Sequence, residues 1–401
     1  MRTHVHPDVP SVLVVPALAP VDPARFALGI DAAPGGWTVR AVAEEVRGLL
    51  PVAVEWVLFA PADAEVDRVG LTEAIAGQSA GAACWMGAAL ADVVPVITHH
   101  YAPPGLRYPD LRHGVLLSRP LLEDLCRLLA SRPELRAARI EIDPGHELAV
   151  LVEAAGAPPL IDHAGWFRPG AAPPADPTAP SVRADDLMVA VRTWSANHHT
   201  RVPVLRSTWG PTASHLVVYS DQGDDALGTV ATGLANDEGG CRKLWAIFDD
   251  LHEHHPDHAW YVIADDDSLI NLDRLAPALS RLRVGPDEPV MVGERYGCAH
   301  VGGATGFDFL TLGAGAAINR AALRRLVDAS SPSPDPTTPD DLWLGQCAGA
   351  LGIALVHHPG FHQDQPASYP AGVLADIEAI SFHRHQPADP HRVWTEWLGG
   401  R

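Results

Sequence analysis

The second half of the chain alternates short apolar runs with a segment of helical periodicity. Residues 187–194, 215–220 and 260–264 are mostly apolar, β-branched or aromatic, which predicts three strands. Between the last two, residues 243–251 place apolar side chains at helical spacing and predict a helix. Strands that alternate with helices predict an α/β fold, in which helices flank a parallel or mixed sheet.

The first half of the chain repeats this organisation. Residues 56–63 (WVLFAPAD) parallel residues 260–267 (WYVIADDD), and residues 114–119 (GVLLSR) parallel residues 315–320 (GAAINR). Few residues match, but the order of the elements agrees, which predicts two copies of one fold. Pro61 and Ala62 stand where the second copy has Asp265 and Asp266. We therefore expect a site that needs adjacent carboxylates in the second copy only.

The segment between the two copies differs in composition from both. Residues 165–186 are rich in Pro, Ala and Gly and lack apolar periodicity, which predicts a semi-extended linker. The expected organisation is a first domain at residues 1–164, the linker, and a second domain at residues 187–401. Two domains also suit a chain of 401 residues.

Charge and composition exclude several kinds of partner and site. The formal net charge is -20, and no run of Lys or Arg occurs, so neither nucleic acid nor an anionic membrane is expected as a partner. We expect no membrane span and a cytoplasmic location, because the chain shows neither a long apolar stretch nor a signal-peptide pattern. The five cysteines are scattered without CxxC spacing, which predicts buried, inert thiols rather than a zinc site or disulfides.

Three adjacent carboxylates give the strongest chemical signal. Asp265, Asp266 and Asp267 directly follow the apolar run 260–264, and their mutual repulsion is relieved when a cation neutralises them. Oxygen ligands on a short turn suit Mn²⁺ or Mg²⁺, and nucleotides bind at the ends of strands in open α/β sheets. The structural alternative is an acidic turn in which an Asp caps the following helix.

Two further motifs carry groups that suit acid–base or metal chemistry. Pro339 precedes Asp340 and Asp341, which can start a helix with carboxylates at its positive end, or can present one carboxylate to an acceptor as a general base. His362 and His383 lie in two short C-terminal segments. A neutral imidazole can complete a metal shell that carboxylates begin, although a single His is more often structural.

These motifs, in this order, resemble the Fringe-type β-1,3-glycosyltransferases, and above all the two-domain β-1,3-glucosyltransferases of that family that act on O-linked fucose. The resemblance covers nearly all of residues 186–398. The stretches that carry it are AVRTW…RVPVLRSTW, VVYSD, GCRKLWAIFDDL, WYVIADDDSLINLDRL, EPVMVGERYG, GAGAAINRAALRRL, PDDLWLGQCAGALGI, GFHQDQPASYP and ISFHRHQPADPHRVWTEWL. It implies tandem GT-A domains with mixed sheets, the first domain degenerate. The implied reaction is the inverting transfer of a hexose from a UDP-sugar to an acceptor hydroxyl, in β-1,3 linkage.

The resemblance also implies residue roles. Asp267 and His383 correspond to ligands of Mn²⁺ or Mg²⁺, and Asp341 corresponds to the catalytic base. The residues implied on the donor side are Asp265, Asp266, Arg192, Asp221 and Lys243. Donor or acceptor contacts are implied for Glu294, Arg295, Asp340 and His362. The implied acceptor is a glycan, a glycosylated peptide or a small molecule.

Two other functions fit the same residues. One is a nucleotide-sugar-binding protein that has lost turnover, since the first copy already lacks the carboxylates. The other is a metal-dependent hydrolase or nucleotidyltransferase that acts on nucleotide sugars. Hydrolysis without acceptor-dependent transfer would identify the hydrolase.

Overall fold

The computed structural model describes residues 4–5, 12–18, 54–61, 65–94, 105–132, 144–163, 167–168, 181–235, 238–282, 284–285, 287–298, 307–330, 335–375 and 377–399. The chain divides into two compact units, one built mainly from residues 1–175 and the other mainly from residues 176–401. The division lies inside the segment 165–186. Two pieces of that segment are folded rather than semi-extended linker, because Phe167–Arg168 pairs as a strand and Ala184–Asp186 forms a 3-10 turn.

The first unit is a mixed sheet with three helices among the described residues. Its elements are β1 (His4–Val5), β2 (Val12–Leu18), β3 (Trp56–Pro61), β4 (Glu65–Val66), α1 (Arg68–Ala76), β5 (Trp85–Gly87), β6 (Ala89–Ala91), β7 (Arg107–Pro109), β8 (Val115–Ser118), α2 (Arg119–Ser131), α3 (Pro144–Ala154), β9 (Ile161–Asp162) and β10 (Phe167–Arg168). The sheet order is β1-β2-β3-β8-β5-β9. Alternate residues of β3 enter two separate apolar clusters, Val57 in one and Leu58 in the other, so the sheet is buried on both faces.

The second unit is a larger mixed sheet covered by helices. Its elements are β11 (Leu187–Arg192), α4 (Val202–Ser207), β12 (His215–Ser220), β13 (Thr229–Ala231), α5 (Gly240–His254), β14 (Trp260–Asp265), β15 (Ser268–Ile270), α6 (Leu272–Arg281), β16 (Val290–Gly293), β17 (Arg295–Cys298), β18 (Phe307–Leu310), β19 (Ala316–Asn319), α7 (Arg320–Ala329), α8 (Asp340–Ala350), β20 (Ala354–His357), α9 (Ala371–Ala375), β21 (Ser381–His383) and α10 (Pro390–Val393). The sheet order is β13-β12-β11-β14-β19-β16-β20, in which only β19 runs antiparallel to its neighbours. The α/β fold predicted from the alternation of strands and helices is therefore confirmed.

The core of the second unit explains why α5 forms. Leu244, Ile247, Phe248 and Leu251 recur at helical spacing, are fully buried and join the cluster that contains Tyr261 of β14. Each such side chain contributes about 1.5–3 kcal/mol through removal from water. The helix is longer than the predicted 243–251: it begins at Gly240 with the buried Cys241 in its first turn, and it ends with the polar residues His252, Glu253 and His254, which are not buried.

Five strands occur in the same order and direction in the two sheets. The order is β2-β3-β8-β5-β9 in the first unit and β11-β14-β19-β16-β20 in the second, with parallel pairs at both ends and one antiparallel strand between them. The registers agree as well. Trp56 lies opposite Ser118, as Trp260 lies opposite Asn319, and the Ser and Asn side chains each cap the following helix.

Two predictions made from composition can be compared with the described residues. No helix among them is both long enough and apolar enough to cross a bilayer. Four cysteines, Cys84, Cys126, Cys241 and Cys347, are buried, as predicted. The side chain of Cys298 lies outside the described part.

Candidate active site

A pocket of about 350 Å³ opens where β11 and β14 end. In an α/β sheet, ligands bind in the crevice beyond the carboxyl ends of the parallel strands, which is where this pocket lies. Its walls are formed by Arg192, Thr193, Trp194, Asn197, Arg201, Gly240, Lys243, Asp265, Asp266, Asp267, Asp340 and His383. Seven of the residues predicted from the sequence are among them.

Asp265, Asp267 and His383 converge in this pocket. The chain turns after Asp265 into β15, which pairs with β21 and places Ser268 opposite His383. One ligand atom from each of the three side chains lies within 4.8 Å of the others. Two carboxylates and an imidazole at this spacing fit Mn²⁺ or Mg²⁺, which accept oxygen-rich ligand sets. The predicted metal ligands Asp267 and His383 therefore lie together, and Asp265 joins them.

His383 is held from both sides of its ring. Its Nδ1 lies 3.0 Å from the main-chain oxygen of Gln363, and its Nε2 lies 3.0 Å from Asp267 Oδ1. Gly313 borders the ring so closely that a Cβ there would lie 2.5 Å from His383. Burial alone would lower the pKa of His383, but the hydrogen bond and charge of Asp267 outweigh it and raise that pKa. Burial alone would raise the pKa of Asp267, but the hydrogen bond and charge of His383 and the charge of Arg201 lower that pKa.

The side chain of Asp266 is engaged by hydrogen bonds within the protein. Its side chain is 4% exposed; Oδ2 accepts from Thr193 Oγ1 at 2.6 Å and from Asn197 Nδ2 at 2.9 Å, and Oδ1 accepts from Arg201 at 2.8 Å. Arg201 also contacts Asp267 Oδ2 at 2.9 Å. Asp266 therefore fixes the turn and the loop after β11, while Arg201 supplies positive charge to two of the three aspartates.

Sequence reasoning did not single out Arg201. It lies directly before α4, nine residues after the end of β11 and 65 residues from Asp266 along the chain. No local motif marks a lone Arg at such a position. Only the contact formed by the fold identifies it.

Arg192 joins the end of β14 to the start of α8. Its Nε donates to Asp265 Oδ1 at 2.8 Å, and its Nη1 donates to Asp340 Oδ2. Asp340 thereby forms part of the pocket wall. Asp341 lies beside it, half-buried, and accepts from the main-chain N–H of Leu342. Burial raises the pKa of Asp341, opposed by the Leu342 N–H and the nearby charge of Arg192.

Lys243 and Asp221 lie at the β12 side of the site. Lys243 is 8% exposed and donates through Nζ to the main-chain oxygen of Thr193; burial lowers its pKa. Asp221 accepts from the N–H of Ser195 at 2.6 Å and from its hydroxyl at 2.9 Å. Burial alone would raise the pKa of Asp221, but the Ser195 hydrogen bonds lower it. Both residues hold the loop that follows β11, and Lys243 also lines the pocket.

Glu294 is buried and does not line the pocket. It accepts from the main-chain N–H of Gln363 and from the hydroxyl of Tyr369. Burial raises its pKa to about 8, against the opposing effect of these hydrogen bonds. Gln363 also carries the carbonyl that His383 contacts. Glu294 is therefore linked to His383 through Gln363 and is not among the residues that line the pocket, so its donor or acceptor contact stays a prediction.

Arg295 and His362 are likewise absent from the described pocket walls. Arg295 is 2% exposed, and its Nη1 lies 3.6 Å from Asp308 Oδ2. His362 stacks on Phe382 with ring centroids 4.5 Å apart, and its Nδ1 lies 2.9 Å from the main-chain oxygen of Ser381. Burial lowers the pKa of His362 to about 4, so the ring is neutral at pH 7. Both side chains are therefore buried inside the second unit rather than exposed in the pocket.

Comparisons with known proteins agree with the sequence motifs. A family model described as Fringe-like matches residues 182–400. A β-1,3-glucosyltransferase of Mus musculus is 32% identical over 98% of this chain and 79% of its own length. The β-1,3-glucosyltransferase of Homo sapiens is 32% identical over 98% of this chain and 78% of its own. The β-1,3-N-acetylglucosaminyltransferase radical fringe of Notophthalmus viridescens is 28% identical over 44% of this chain and 51% of its own.

Proposed function

The chain belongs to the Fringe-like family of glycosyltransferases, and from that premise we propose that it transfers a hexose from a UDP-sugar to an acceptor hydroxyl in β-1,3 linkage. The observation that carries this proposal is the convergence of Asp265, Asp267 and His383, within 4.8 Å of one another, in a pocket at the ends of parallel strands. Such a pocket suits a nucleoside diphosphate bound through a divalent cation.

Asp265, Asp267 and His383 would hold Mn²⁺ or Mg²⁺. When bound, the ion neutralises the charge that builds up on the departing diphosphate. Arg192, Lys243 and Arg201 are cationic side chains in the pocket wall, and the placement of Arg192 and Lys243 there supports a role in binding the donor.

Asp341 would act as the general base. The acceptor oxygen forms a bond to the anomeric carbon while that carbon's bond to the diphosphate oxygen breaks. The hydroxyl proton passes to Asp341, and the nucleoside diphosphate leaves with the bonding electrons. Attack from the side opposite the leaving group inverts the configuration at the anomeric carbon. The position of Asp341 beside Asp340, which lines the pocket, supports this role.

We further propose that the two units are tandem GT-A domains and that the first is degenerate. The shared strand order and register support a common fold. β3 ends in Pro61 at the position where β14 ends in Asp265, and a proline ring offers no metal ligand. Ala62 and Asp63, which follow Pro61, lie outside the described residues. The first unit would then serve as a scaffold or as an acceptor-docking domain, and the cytoplasmic location remains a prediction.

Calorimetric titration with UDP tests the donor site directly. We expect binding in Mn²⁺ that disappears in EDTA and in Asp267→Ala. Asp225→Ala, which removes an exposed carboxylate from the same unit, should bind as the wild type does. Mn²⁺-independent binding, or the absence of binding, would contradict the proposed site. With UDP-sugars and acceptors added, hydrolysis without transfer would instead identify a hydrolase.

A further inference from the structure

Trp194 is an exposed aromatic residue in a pocket whose other lining residues, apart from Gly240, carry polar or charged side chains. Five large hydrophobic residues are exposed in the described part of the chain, namely Val69, Val93, Trp194, Val230 and Trp397. Of these, only Trp194 lines the pocket, with 39% of its surface exposed. A large apolar ring that stays in water beside a ligand pocket suits contact with a flat ligand group.

The backbone around Trp194 is fixed although its side chain is exposed. The carbonyl of Thr193 accepts from Lys243, and the carbonyl of Trp194 accepts from the N–H of Asn197 at 2.8 Å. Ser195 is held through both its N–H and its hydroxyl by Asp221. The ring therefore projects from an ordered loop, so little entropy is lost when a ligand packs on it.

Trp194 lies on the side of the pocket where the nucleoside of a bound donor would be placed. Asp221 directly follows β12, Trp194 lies two residues after β11, and Asp265 is the last residue of β14. These three strands are adjacent and parallel. Adjacent strands lie about 4.8 Å apart, so Asp221 and the aspartate cluster are separated by roughly 10 Å along the sheet edge. A diphosphate held at Asp265 and Asp267 places its nucleoside away from that cluster. The β11 and β12 side, where Trp194 lies, is the side on which a base would reach an aromatic surface.

We propose that Trp194 is the stacking surface for the nucleobase of the donor, an inference that rests on the proposed nucleotide-sugar transferase function. Stacking on an aromatic ring contributes to binding of any base, because every base presents a π-face. Trp194 then supplies affinity for the nucleoside, whereas the aspartates and His383 supply affinity for the diphosphate.

The test is calorimetric titration of wild type, Trp194→Ala, Trp194→Leu and Trp194→Phe in Mn²⁺ with UDP, with inorganic pyrophosphate and with UDP-glucose. Trp194→Ala should weaken UDP binding roughly 5- to 150-fold, from a stacking contribution of about 1–3 kcal/mol, and leave pyrophosphate binding unchanged. Trp194→Leu, which keeps apolar bulk without a π-face, should lose most of the affinity, and Trp194→Phe should recover most of it. Melting temperatures confirm that the variants fold.

The outcomes separate this inference from the function on which it rests. If wild type and Trp194→Ala bind UDP with equal affinity, the stacking role is overturned and the donor site is left intact. Loss of affinity for UDP-glucose but not for UDP would also overturn it, because the ring would then contact the sugar. Wild-type protein that binds neither UDP nor pyrophosphate would overturn the donor site and the inference together.

Discussion

His383 contacts Asp267 through the same ring nitrogen that would face a metal ion. Nε2 lies 3.0 Å from Asp267 Oδ1, while Nδ1 lies 3.0 Å from the main-chain oxygen of Gln363. A carbonyl oxygen only accepts, so Nδ1 carries a proton and the ring orientation is fixed. Metal-ligating histidines commonly use such a contact to a carbonyl, because it sets the tautomer that leaves Nε2 for the ion.

Gly313→Ala should weaken metal binding without removing a ligand. A Cβ at this position would lie 2.5 Å from the His383 ring and 2.9 Å from Gln363 Oε1, so the ring must shift. Loss of a contact that orients a ligand typically costs 10- to 100-fold in metal affinity, and we expect a loss of about that size. The measurement is a Mn²⁺ titration followed by electron paramagnetic resonance of the free ion.

Gly349→Ala is the matched control for Gly313→Ala. Gly349 lies in α8, where an added Cβ meets nothing within 4 Å. The control should bind Mn²⁺ as the wild type does and gain slight stability, since Ala is about 1 kcal/mol better than Gly in a helix. Equal Mn²⁺ affinity in both variants would mean that the orientation of His383 does not matter for binding.

Asp341→Asn should separate catalysis from donor binding. The variant keeps the shape of the side chain and removes its basicity, so we expect transfer to fall about 10²- to 10⁴-fold while the Kd for UDP stays within twofold. Asp340→Asn is the neighbouring comparison, because it breaks the ion pair to Arg192 in the pocket wall and should raise the Kd for UDP. Transfer that survives in Asp341→Asn would place the base on another residue.

The same assignment predicts a pH dependence. Burial raises the pKa of Asp341 above its usual value, and a general base acts only when deprotonated. The transfer rate should therefore decline with falling pH at a higher pH than for an exposed carboxylate, and measuring kcat against pH tests this. A rate that stays constant down to the usual pKa of Asp would contradict the buried base.

The sequence predicted the elements that bear the metal motif, because apolar periodicity and a strand-end Asp run are local signals. The resemblance implied a ligand contact for Glu294, and nothing in the sequence indicated that this residue is buried, because a charged residue after an apolar run does not show whether its partners are internal. That distinction depends on Tyr369, 75 residues further along the chain.

Arg201→Gln should destabilise the protein in the absence of metal. It removes the cation that contacts both Asp266 and Asp267, and Asp266 is only 4% exposed. Loss of one partner from a fully buried pair costs about 3–5 kcal/mol; because the Arg201 side chain is 40% exposed, we expect about 1–2 kcal/mol by urea unfolding.

Saturating Mn²⁺ and UDP should reduce the difference between Arg201→Gln and wild type, because the ion supplies the missing positive charge. Arg206→Gln provides the control, since Arg206 is exposed in α4 and should change stability by less than about 0.5 kcal/mol. A deficit that Mn²⁺ and UDP leave unchanged would mean that Arg201 acts only through packing.

Glu294→Gln should stabilise the protein at alkaline pH. The pKa of Glu294 is raised from 4.5 to about 8, so the folded state keeps a proton that the unfolded state releases above pH 4.5. The resulting stability is fully present below pH 4.5 and is lost as the pH rises to about 8. Each pKa unit corresponds to about 1.4 kcal/mol, which gives a wild-type loss of roughly 3–5 kcal/mol.

Gln is neutral at every pH, so Glu294→Gln should lack this loss, and its advantage over wild type should grow between pH 5 and pH 8 in urea unfolding. Glu253→Gln, at an exposed position of α5, should follow the wild type at both pH values because its carboxylate stays hydrated in both states. If the free energy of unfolding of wild type changes with pH in parallel with that of Glu294→Gln, the carboxyl group of Glu294 is ionised within the fold. Its hydrogen bonds from Gln363 and Tyr369 would then outweigh the cost of burying the charge.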